Sequence, residues 1–251
     1  LAGFATRGNL TLETTNAIAL TAHTVNGNLS VTSAGAITQS AALTVSGTSS
    51  FTSTGTDANI TLTQANAFSG DVTLTTAGTA GDVSIDNNTT ALGIQGTING
   101  GLTVVNGAAI TDSDTLTVTG ASSFTIDTGS NHITLGTAAL TGAIGVSTTG
   151  TSNFTLDNTT TAVNLGTVGV TGALSVTSGE TITDSGVITV AGTSSFTTDV
   201  NDKDIILNQS NAMSGNITVS TAGTGGDVTI DNGTTALGIQ GTINGGLTVV
   251  N

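Results

Sequence analysis

Residues 86–106 read DNNTTALGIQGTINGGLTVVN, and residues 231–251 read DNGTTALGIQGTINGGLTVVN. Twenty of 21 positions are identical, and the second copy starts at Asp231 where the first starts at Asp86. A chain that copies itself this closely is built from units, so its period constrains its fold before anything else. GTSSFT at 47–52 returns at 192–197 with the same offset, and GASSFT at 120–125 falls midway between them. The unit is therefore half of that offset. A partial unit covers 1–46, and units at 47–119, 120–191 and a truncated 192–251 follow. No stretch has linker composition, so 1–251 reads as one continuous array. The chain opens at Leu1 without Met or a basic segment and stops inside a repeat. It is expected to be an internal part of something longer.

Within each unit the pattern is short apolar–polar–apolar triplets: Leu43/Val45, Ile60/Leu62, Val72/Leu74, Leu102/Val104, Ile133/Leu135, Leu174/Val176. Period two is the mark of a strand with one buried face. The residue between is usually Thr, Ser or Gly, and no helical period persists over two turns. Strand anchors in the first full unit are Phe51, Ile60, Val72, Val83, Leu92, Leu102, Ile110 and Leu116. In the second they are Phe124, Ile133, Ile144, Phe154, Val163, Leu174, Ile182 and Ile188.

Two arrangements suit such short strands: an antiparallel meander, or a solenoid in which each strand stacks on its equivalent one coil later. Asn-Gly pairs occur, but most connections lack a hairpin signal. Only six Phe and no Trp or Tyr are present, which fits a thin core of stacked aliphatics. The absence of Pro leaves every strand its N–H donors. The expected fold is all-β, a right-handed parallel β-helix (β-solenoid) without helices, with about 18–20 residues per coil. Eight anchors divide into four coils per unit. That predicts about 14 coils and a rod on the order of 65 Å long.

GNLSVTSAGAITQSAALTVSGTSSFTS, followed by ANITLTQANAFSGDVTLTTAG, resembles the repeat region of filamentous-haemagglutinin-type bacterial surface proteins. The resemblance covers residues 8–251. It implies repeats of about nineteen residues forming right-handed parallel β-helices, and a place in a very large exported adhesin. The family's secretion domain is not matched here, and no functional residue carries over.

Charge narrows the function classes. Arg7 and Lys203 are the only strong bases against 16 acids, giving a net charge of −14. Such a surface repels phosphate backbones and anionic lipid, so nucleic acid is not an expected partner. No apolar run approaches the length of a membrane span, and without Cys there is neither disulfide nor thiolate site. His23 and His132 lie in different units, and no base sits beside paired carboxylates, so the chain is not expected to be an enzyme.

The segment DVNDKD, carrying Asp199, Asn201, Asp202 and Asp204, partly matches a calcium loop. The expected sixth-position Gly is Ile205, and the twelfth-position Glu is Ser210. Asp112 and Asp184 recur at one shared position, and Asp86, Asp157 and Asp231 at another shared turn. These are expected to cap turns. Thr61/Thr63, Thr73/Thr75 and Thr115/Thr117/Thr119 point hydroxyls outward, as an ice-binding face would. Unit-to-unit comparison breaks that register, because Thr63 becomes Gly136 and Thr73 becomes Gly145. No catalytic, cofactor-binding or metal-binding residue is assigned.

The expected function is a structural rod or stalk in a large exported bacterial surface or filament protein, located outside the cell. Its partners are further repeats of the same chain, or copies associating end to end or laterally. The alternative is a face that binds an extracellular glycan or protein.

Overall fold

The computed structural model describes residues 5–158 and 160–250; Phe4 and Asn251 lie outside them. Among the described residues, alternation of small aliphatics with Thr and Ser gives 31 short strands and no helix. The strand pairings are parallel throughout, from Ala5↔Thr24 at one end to Asp231↔Val250 at the other. Two long sheets each run through about 12 coils of about 20 residues. The first sheet starts at Leu10–Thr14 and ends at Ile239–Thr242; the second starts at Ile18–Leu20 and ends at Leu247–Val250. The chain advanced per coil varies, being short in Ile94↔Asp112 and longer in Ser49↔Val72. At about 4.8 Å per coil the rod is on the order of 55 Å long.

The triplets face inward as their period requires. Leu43, Val45, Ile60, Leu62, Leu102, Val104, Ile133 and Leu135 are all fully buried, in one cluster that runs the length of the rod. Five Phe supply the bulk. Phe51, Phe68, Phe124, Phe154 and Phe196 are each 0% exposed, and Phe51 meets Phe68 edge to face at 5.6 Å.

The expected four coils per unit are corrected to three and a half. Phe51 lies in Ser49–Thr56 of the first sheet, and Phe124 lies in Ser122–Ile126 of the second. Phe196, in Ser194–Asn201, is back on the first. Each unit holds seven strands of the long sheets, so it ends on the sheet where it began and the next unit opens on the opposite one. The eighth anchor, Leu116 or Ile188, belongs to a short third side of its coil. The first such side climbs through 5–6, 23–25, 43–45 and 67–68. The next climbs through 96–98, 116–118 and 138–140, and the last through 168–170, 188–190 and 212–213.

Where each third side stops, its last strand would expose an unpaired N–H and C=O to a buried corner. A buried Asn from the next coil fills the gap with its side-chain amide. Asn87 accepts from the Phe68 N–H at 2.7 Å and donates to the Phe68 carbonyl at 3.1 Å. Asn158 does the same for Leu140, at 2.8 and 3.1 Å. Asn232 does so for Met213, at 2.9 and 3.2 Å. A primary amide offers the same donor and acceptor as a peptide, so it extends the ladder by one step. The one difference between the two long sequence copies, Asn88 against Gly233, falls beside this cap. Both residues are left-handed, at φ 53° and 58°, a region that Gly and Asn enter most easily.

Replacing Asn87 by Ala strands both groups of Phe68. The expected cost is roughly 1–3 kcal/mol for each buried group left unsatisfied. Amide hydrogen exchange should show the loss around residues 66–68 and 87–91, with distant coils unaffected.

Candidate functional site

The titratable and polar residues singled out above are spread along the rod, and the structure uses most of them to close turns. Two columns, one on each long sheet, sit just ahead of the strands, where each side chain accepts a backbone N–H from the coil above. Asn9 accepts from the Asn28 N–H at 2.9 Å, and Asn28 from the Thr48 N–H at 3.0 Å. Asn59 and Asp82 repeat this toward Asp82 and Gly101, and Asp204 and Asp227 toward Asp227 and Gly246. His132 is exposed and joins the first-sheet column, its Nδ1 accepting from the Asn153 N–H at 3.0 Å. His23 is buried on a third side with Nδ1 2.6 Å from the Thr21 carbonyl, in the first coil. The two histidines are about five coils apart.

The recurring aspartates cap turns in the same manner, with one exception. Asp86 and Asp231 accept from the N–H two residues on, at Asn88 and Gly233. Asp112 takes the Gly136 and Thr137 N–H groups of the coil above. Asp184 is nearly buried and takes the Asn208 and Gln209 N–H groups together with the Asn211 amide at 2.8 Å. One double unit earlier a neutral pair, Gln39 and Asn66, holds the equivalent corner. Asp157 is the exception, because its Oδ1 has no partner.

Within DVNDKD, Asp202 and Asp204 spend their Oδ1 atoms on backbone N–H groups. Among the described residues no three His, Asp or Glu side chains gather as a metal ion could use. Lys203 pairs with Glu180 at 2.5 Å on the surface, where an ion pair contributes about 0–1 kcal/mol.

Asp57 carries no motif that marks it in the sequence, although it stands one double unit before Asp202. Each is left-handed, at φ 57° and 60°. Each gathers two consecutive N–H groups from the coil above: Thr79 and Ala80 at 2.7 and 2.9 Å, Thr224 and Gly225 at 2.8 Å each. Those backbone bonds hold both carboxyls below the ordinary carboxylate range, against a smaller opposing effect of desolvation. Asp157 is pushed the other way, first by desolvation and then by the negative charges of Asp199 and Asp112.

The outward hydroxyls are where the triplets put them, but their register needs a correction. Thr61 is on the second sheet and its unit equivalent Thr134 is on the first; Thr73 and Gly145 are also on different sheets. Comparing units therefore compares opposite faces. Along a single face the hydroxyls do align: Ser30, Ser50 and Thr73 form one row, and Thr32, Thr52 and Thr75 a second. Ser175, Ser195 and Thr218, with Thr177, Thr197 and Ser220, repeat both rows seven coils later.

A family model described as repeats of unknown function (DUF5649) matches residues 7–75, 80–150 and 151–220. The chain belongs to this family. Its three matched repeats start on the first sheet, ahead of the second-sheet strand at 83, and on the first again, so the family repeat is the half-integral unit seen in the fold. No curated protein and no solved structure matches the chain. No helix among the described residues is long and apolar enough to cross a membrane.

Two titrations follow. For Asp57 the folded-state pKa lies below the unfolded value of about 3.9, so its stabilisation is present above that value and is lost as pH falls through the folded one. In an NMR titration the Thr79 and Ala80 amide resonances should move in that acid range, and Asp57→Asn should abolish the movement. For Asp157 the sign is opposite: a raised pKa opposes folding at neutral pH and ceases to do so once the group is protonated. Asp157→Asn should raise the melting temperature at pH 7, and the gain should vanish in acid.

Proposed function

We propose that this chain is a stiff, acidic spacer in a large exported bacterial surface protein of the filamentous-haemagglutinin kind. The observation that carries the reading is the single unbroken hydrophobic cluster through all the coils. A rod of this type has no hinge where one domain core ends and another starts. Each coil is held by the next, so length grows while cross-section stays constant. The cadence of residues 27–53 and 58–78 supports the kinship, and the capping duties of the polar residues leave them to architecture.

Growth by stacking belongs to the same reading. Leu102 and Val104 are buried beneath the coil formed by Ile110–Val118 and Ser122–Ile126. Each internal coil is roofed in this way by the one after it, so a further repeat lengthens the rod without altering the coils already laid. The one-sided charge of a net −14 chain keeps neighbouring rods apart laterally at low ionic strength.

One observation favours a second reading, a binding face: the two aligned hydroxyl rows on the first sheet. Against it, binding surfaces are enriched in aromatic side chains, and all five described Phe are buried.

Three measurements test these readings. Antibodies raised against the chain should label intact producing cells; labelling only after permeabilisation overturns the surface assignment. Small-angle scattering should return a rod on the order of 55 Å long, and selective binding to a glycan array would favour the second reading.

A further inference from the structure

The repeat unit spans seven strands of the long sheets, an odd number. Its consequence goes beyond the spacer reading and does not depend on what the rod carries. We infer that the unit is a two-faced length module. Adding or removing one unit continues the solenoid without a break and turns everything beyond it onto the opposite face. Adding or removing two units restores the original face.

Three observations carry this. The first is the core. Phe51 stacks between Val31 and Leu74 on the first sheet, Phe124 between Val104 and Val146 on the second, and Phe196 between Val176 and Val219 on the first again. Each is fully buried with an aliphatic residue above and below, so the two sheets accept the same strand equally well.

The second is the step length. On the second sheet Ile37, Ile60, Val83 and Leu102 stack in turn, with two equal long steps and then a short one. On the first sheet Ile110, Ile133, Phe154 and Leu174 open with that same long step and then shorten gradually. Ile182, Ile205, Val228 and Leu247 return to the second sheet and repeat the original three steps without change. The third is the Asn-capped third side. It follows second-sheet strands at both ends of the rod and first-sheet strands in the middle, with the same amide cap each time.

A surface feature carried once per unit is therefore dealt alternately to two flanks. Ser50 and Ser123 are an instance: they are equivalent in sequence, and they face outward on the first and second sheet respectively. A partner that recognises one unit would meet its epitope on both sides of the rod, every three and a half coils. On one side it recurs every seven coils, about 34 Å.

Deletions test the inference. Removing residues 47–119 joins Ser46 to Gly120, so SGTSSF becomes SGASSF. Removing 47–191 joins Ser46 to Gly192 and reproduces SGTSSF without change. In the full chain Ser30 pairs with Ser50 on the first sheet, while Ser123 faces out from the second. The chain has no Cys, so Ser30→Cys with Ser123→Cys can be labelled specifically with pyrene.

The full chain should show monomer emission. The 47–119 deletion should fold and shift emission to the excimer band, because position 123 then lies beside position 30. The 47–191 deletion, labelled at Ser30→Cys and Ser195→Cys, should fold and give the excimer as well. A folded 47–119 deletion without excimer overturns the inference. So does its failure to fold while the 47–191 deletion folds, which would make the double unit the smallest module. Failure of both overturns modularity altogether.

Discussion

The whole rod depends on one constraint: the backbone of each coil is satisfied only by the coils above and below it. Parallel strands such as Leu29–Ser33, Ser49–Thr56 and Val72–Ala77 have no hairpin partner of their own. Their N–H and C=O groups point along the rod axis. A buried peptide group without a partner costs free energy comparable to a lost hydrogen bond. Any place where the stack changes its outline therefore needs a substitute for the missing peptide.

The side chains supply those substitutes, which explains a polar composition dominated by Asn, Asp, Thr and Ser. Where a third side stops, a buried Asn amide stands in for a strand. Where a turn leaves an N–H facing the coil below, an Asn, Asp or His oxygen or nitrogen accepts it. The carboxylates sit in such turns because a turn offers two adjacent N–H groups to an acceptor, as Thr79 and Ala80 do to Asp57. The acidity of the rod is thus partly a by-product of its construction. Asp157 departs from the rule, with an unpaired oxygen among like charges, and nothing in the structure explains its retention.

Membership in a repeat family of unknown function and the odd strand count point to one design principle. Both long sheets present the same inward surface, so the chain need not distinguish between them. That indifference lets a half-turn unit propagate, and it hides the unit's true geometry from anyone who counts whole coils.

The strands, their parallel stacking, the inward residues and the turn-capping use of Asp and Asn are all legible in the sequence alone. They are set locally: period two fixes which side chains face in, and the repeat fixes what stacks on what. The number of coils per unit is not legible in this way. Leu116 and Ile188 carry the same triplet pattern as a sheet strand. Only their pairing onto residues 96–98 and 168–170, one coil below, makes them a third side. Unit-to-unit comparison misjudges the hydroxyl rows for the same reason, since sequence equivalents one unit apart lie on opposite faces. Pattern decides inside from outside, while the path of the coil depends on contacts a full coil away along the chain, which only the tertiary structure brings together.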